Sequence, residues 1–249
     1  MRCTATEVGM TAAGTGPMGR ATSDSRPDQR ALLYDSRRGV HYPKPVWRGW
    51  SHLAWFELSL VAGTLLIVAA NGPAEITSVT IYAACVSGMF GVSALYHRGN
   101  WGPAAVKTLQ RLDHMMIYFS IAGTATPSFV VGSPGTYGLV CVIVMWSLTL
   151  TATAIRMFKM EAPEIIVGGA FIALGLIGVL ALPGVFRTGG IAAGILMVAG
   201  GGFYLIGAVL FHRRWPNYKP EVFGYHEYFH AWVCAAATCQ YVATALLIL

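Results

Sequence analysis

GYHEYFHAWVCAA, residues 224–236, opens the last hydrophobic segment of the chain and carries two histidines four residues apart, His226 and His230. On a helix that spacing puts both imidazoles on one face, one turn apart. Imidazole pairs so placed suit a metal ion, and zinc takes imidazole readily. The run that follows is apolar, and a histidine pair inside such a run is costly unless each ring finds a partner. Read as a membrane helix with a ligand face, this stretch makes the fold a helical bundle. The remaining helices must then supply what joins the two rings.

The whole chain agrees with a membrane setting. Of 249 residues, 55% are hydrophobic and only 11% are charged, and the mean hydropathy is +0.56. Soluble domains carry about a quarter charged residues. The polar stretch at the N-terminus, rich in Arg, Ser, Gly and Pro, is the exception. Residues 1–44 read as a disordered basic cytoplasmic tail without enough apolar surface to fold alone, and 45–249 as the membrane domain. The tail has no apolar run long enough for a signal peptide, so the first membrane segment is expected to direct insertion. Its GTGPMG (14–19) fits a dinucleotide pattern but has neither the strand before it nor the helix after it that the pattern needs. Of the five cysteines, Cys85, Cys141, Cys234 and Cys239 fall within apolar segments, no two form a CxxC pair, and all read as small packing residues.

Seven segments near 20 residues are each long enough to cross about 30 Å of hydrocarbon: 50–71, 76–97, 112–132, 136–156, 164–183, 188–211 and 226–248. Turn signals separate them at NGPAE (71–75), GSPG (132–135), EAPE (161–164) and LPG (182–184). The expectation is an all-α seven-transmembrane-helix bundle. If the helices alternate, 16 of the 17 basic residues fall on one side, and Arg187 alone lies opposite. The positive-inside rule puts that side, and the N-terminus, in the cytoplasm, with the C-terminus outside the plasma membrane. Topology therefore accounts for the basic pI of 9.2, and no nucleic acid is needed.

This topology brings distant residues to one depth. The second segment ends in SALYHR (93–98), with Ser93 one turn before His97, and the third begins near RLDHMMIY (111–118), with Asp113. The last begins with His226 and His230, so three segments place polar groups at the cytoplasmic face. Three imidazoles plus water form a frequent catalytic zinc arrangement with one open position. Zinc lowers the pKa of that water to about 7. Asp113 could orient the water or accept its proton, and Ser93 could fix the water or donate to an oxyanion. His114 is turned about 100° from Asp113 on a helix and reads as interfacial. His41 and His212 read as juxtamembrane bystanders. His52 and Glu57 lie in the first segment; an intramembrane Glu is a site candidate by default, but Glu57 has no evident partner.

HEYFH also satisfies the zinc-protease pattern H-E-x-x-H, with Glu227 as its general base. Four longer stretches carry a more specific resemblance: PVWRGWSHL (45–53), SALYHR (93–98), RLDHMMIYFSIAGTATP (111–127) and HEYFH (226–230). In that order they resemble the hemolysin III family, bacterial members of the progestin and adipoQ receptor group that also includes the adiponectin receptors. The resemblance implies a seven-helix bundle with a cytoplasmic N-terminus. It also implies a zinc ion held by His97, His226 and His230, with Ser93 and Asp113 around a zinc-bound water. The wider superfamily includes alkaline ceramidases, so the implied activity is zinc-dependent hydrolysis of an amide or ester bond in a membrane lipid. The chain departs from the family near Gln240, where members often carry a further histidine.

Three other functions compete with hydrolysis. They are a non-enzymatic homeostasis factor or receptor with structural zinc, an intramembrane protease, and the pore-forming cytolysin of the family's name. The pore is the weakest, because so apolar a chain has no soluble state from which to insert.

Overall fold

The computed structural model describes residues 32–35, 40–158 and 164–249. Ten elements follow in order: β1 (Leu32–Asp35), β2 (Val40–Pro43), α1 (Trp50–Ala69), α2 (Gly72–Arg98), α3 (Pro103–Val130), α4 (Thr136–Phe158), α5 (Glu164–Val179), α6 (Leu182–Thr188), α7 (Gly190–Arg213) and α8 (Tyr225–Ile248). The fold is a helical membrane bundle. Of the expected tail, 1–31 and 36–39 lie outside the described residues, and 32–35 pairs with 40–43 as an antiparallel hairpin.

Among the described residues, six helices are long and apolar enough to cross a membrane: α1, α2, α4, Gly168–Thr188, α7 and α8. The expected segment at 112–132 is the exception. It is α3, which has 28 residues but carries Lys107, Arg111 and Asp113 in its first half. The reason is its position: α3 packs against α2, α4, α5, α6 and α8. A helix sheathed by neighbours meets little lipid and need not be apolar throughout. Its Thr124 and Thr126 hydroxyls donate back to the carbonyls of Ser120 and Ala122, each at 2.7 Å, so the polar atoms are satisfied within the helix.

The LPG signal at 182–184 is also not the turn expected from sequence. α5 ends at Val179, and Pro183 sits in the first turn of α6, where its missing N–H removes no helical bond. Lipid-facing surfaces are plain on the other helices: Val68 on α1 is 78% exposed and Leu176 on α5 is 64% exposed. In water such surfaces would aggregate, whereas hydrocarbon solvates them.

Two buried clusters form the interior. Leu66, Val79, Tyr82, Val86, Phe90 and Val233 join α1, α2 and α8. Tyr118, Phe129, Met145, Leu174 and Val185 join α3 through α6. Between the clusters α2 and α3 approach closely, because a Cβ on Gly123 would stand 2.5 Å from Cys85 Cβ. This contact sets the spacing of the two helices that bring His97 and Asp113 to the site. Cys85, Cys141, Cys234 and Cys239 are all free thiols, two of them fully buried, as packing residues should be.

Candidate metal centre

α2 ends one residue after His97, with Gly99 as its C-cap. α8 starts at Tyr225, so His226 and His230 occupy its first two turns. These ends meet. One ring nitrogen from each of His97, His226 and His230 lies within 4.8 Å of the others, with His97 and His230 buried. The Nε2 atoms of His97 and His226 are 3.2 Å apart. Asp113 from α3 reaches the same place, its Oδ2 standing 3.9 Å from His97 Nε2. Ser93 is buried one turn before His97 and hydrogen-bonds the Asp113 carboxylate.

The residues present fit a metal ion. Two nitrogens bound to one tetrahedral ion at about 2.0–2.1 Å lie about 3.3 Å apart, close to the separation of the His97 and His226 nitrogens. His230 Nδ1 is buried and has no hydrogen-bond partner among the described residues, a deficit that an ion bound at that nitrogen would remove. Three neutral nitrogens with a carboxylate alongside form a donor set for a divalent ion that accepts imidazole.

The start of α8 is held by contacts that helical spacing does not reveal. Glu227 is buried at 2% exposure. One of its oxygens pairs with Nε of the buried Arg48, and the other accepts the Gly224 N–H at 2.8 Å. Both oxygens are therefore engaged, so Glu227 ties α8 to the segment before α1 and is not free to act as the protease base of H-E-x-x-H. That segment is fixed again by the N–H groups of Val46 and Trp47, which donate to the carbonyls of Glu221 and Val222, each at 3.2 Å. Gly49 then turns into α1 with φ 79°. A Cβ there would stand 2.8 Å from His97 Cβ, so glycine is needed for both the turn and the approach. Lys44 donates to the Gly99 carbonyl at 3.2 Å. Its own burial, with the Arg98 and Arg48 guanidiniums nearby, lowers its pKa from the ordinary lysine value. Arg98 sits over the Trp50 ring, 3.9 Å from its centroid.

Other polar residues stay apart. His114 turns back and donates from Nδ1 to the Gln110 carbonyl at 2.6 Å. Glu57 and His212 are exposed, and His41 lies in β2. Cys234 hydrogen-bonds Ser51 and is not among the grouped ligands. Gln240 donates to the Met197 carbonyl at 3.1 Å and so joins α8 to α7. His52, by contrast, lies against the cluster: its ring stacks on His230 with centroids 3.7 Å apart.

Fold and site together define a polytopic helical membrane protein with a buried three-histidine centre at one end of the bundle. A family described as Haemolysin-III related matches residues 40–241, and the chain belongs to that family. It is 26% identical over 179 residues to the Hemolysin-3 homolog of Bacillus subtilis (strain 168), covering 71% of this chain and 81% of that protein. It is 27% identical over 157 residues to Hemolysin-3 of Bacillus cereus, covering 62% of this chain and 71% of that one.

Proposed function

We propose that this protein hydrolyses an amide or ester bond of a membrane lipid at a zinc ion held by His97, His226 and His230. The observation that carries the reading is the convergence of three imidazoles from two helices, with Asp113 and Ser93 beside them. Bound there, zinc supplies a Lewis acid that polarises a carbonyl and brings the pKa of a water toward about 7. Asp113 stands at the rim of the cluster and accepts a proton at its carboxylate. Ser93 orients that carboxylate by its hydrogen bond. The Arg48–Glu227 pair fixes the start of α8, so that His226 and His230 keep their direction.

The distribution of basic residues supports a cytoplasmic N-terminus in the plasma membrane, with the site near the cytoplasmic face. Substrate then enters sideways from the leaflet. The test is turnover of a panel of ceramides, N-acyl lipids and acyl esters by purified protein. Activity that disappears with chelator and returns with zinc supports the reading. Zinc-loaded protein inert on the whole panel overturns it.

One observation favours a second reading. Asp113 is close enough to act as a fourth donor, and a site closed by four protein ligands is structural. In that case the ion staples α2, α3 and α8 in a non-enzymatic membrane-homeostasis factor or receptor. A coordination number of three protein ligands plus water, read by X-ray absorption, excludes this alternative.

A further inference from the structure

We propose that His52 is a positioning residue of the metal centre, which sets the ring of His230 by stacking against it. The inference rests on the metal reading above and concerns a helix, α1, that contributes no ligand. His52 is buried at 2% exposure, and both its ring nitrogens lack hydrogen-bond partners among the described residues. Its ring, in contrast, has two aromatic partners. The His230 ring lies nearly parallel to it, 14° between planes with centroids 3.7 Å apart. Phe90 of α2 meets it edge-on, 86° between planes with centroids 5.0 Å apart. What this side chain does in the fold, it does with its ring.

The backbone on either side makes the placement rigid. Gly49 rests on His97, so the first turn of α1 is registered against a ligand of α2. Three residues later His52 reaches the ligand of α8. α1 thus spans both ligand-bearing helices at the depth of the cluster. A histidine that faces open hydrocarbon or water samples several rotamers, and each must be given up when the metal binds. The stack removes that freedom from His230 before binding. Buried nitrogens without partners oppose folding, which is the pattern of a residue retained for a site rather than for stability.

The test compares zinc affinity in detergent-purified wild type, His52→Phe, and the ring-free variants His52→Leu and His52→Ala. Affinity is read by competition with a chromophoric chelator, and ligand geometry by the visible spectrum of the cobalt(II) form. Loss of a group that orients a ligand weakens metal binding by about 10–100-fold. That loss is expected in whichever ring-free variant folds, with a changed cobalt spectrum. Phenylalanine keeps the ring face, so His52→Phe should bind zinc within about threefold of wild type, well inside that range. Ring-free variants with wild-type affinity overturn the proposal. So does a His52→Phe variant as weak as them, because the nitrogens would then carry the role. Wild type that binds no zinc overturns the metal reading along with it.

Discussion

Arg48 and Glu227 form a buried ion pair between the segment before α1 and the first turn of α8. Arg48→Met removes one charge and leaves Glu227, at 2% exposure, without its counter-ion. Removing one partner of such a pair costs about 3–5 kcal/mol, because the remaining charge stays desolvated. Glu227→Met should cost a similar amount by stranding the guanidinium. The double variant Arg48→Met/Glu227→Met strands no charge. It loses the Gly224 N–H bond to Glu227, worth about 1 kcal/mol, and should lie within about 2 kcal/mol of wild type. A double-mutant cycle should therefore show a coupling of about 3 kcal/mol or more. Equilibrium unfolding in mixed micelles, followed by tryptophan fluorescence, reads all four proteins. A single variant that loses less than about 1 kcal/mol, as an exposed pair would, refutes the argument. Glu227→Gln with full stability but no turnover would also restore the protease reading.

Gly49→Ala should lose about 1–2 kcal/mol from the left-handed backbone alone and should also weaken zinc binding, because the new Cβ displaces His97. Gly72→Ala is the control: its φ is 77°, but a Cβ there meets nothing within 4 Å, so thermal unfolding should show the strain while zinc affinity stays unchanged. Gly123→Ala forces α2 and α3 apart at Cys85 and should destabilise by about 1–3 kcal/mol, measured by unfolding in the same micelles. Asp113→Asn separates the two functional readings. Retained zinc with lipid turnover down by about 10²-fold or more fits a proton acceptor, whereas lost zinc fits a fourth ligand.

The site was legible where the sequence combined spacing with topology. His226 and His230 are fixed by helical periodicity, and alternation of the segments then put Ser93, His97 and Asp113 at their depth. Contacts made by segments outside the helices left no such trace. The pairing of Arg48 with Glu227 depends on 45–49 folding back beside residues 221–224, which no periodicity encodes. For the same reason the H-E-x-x-H pattern misled: it gives the position of Glu227 but not what its oxygens touch. His52 was visible only as one polar residue of a mostly apolar helix, because stacking is set by the packing of α1 on α8. The segment read at 112–132 is α3, a helix outside the six whose length and composition suit a membrane span. Hydropathy reports contact with lipid, and a central helix has little.

Metal content of the purified protein, wild type beside His97→Ala and His226→Ala, bears most directly on the account. One zinc ion per chain in wild type, lost in both variants, would join the end of α2 to the start of α8 through a single ion. Well-folded wild type without bound metal would contradict the account, and the histidines would then be a packing cluster.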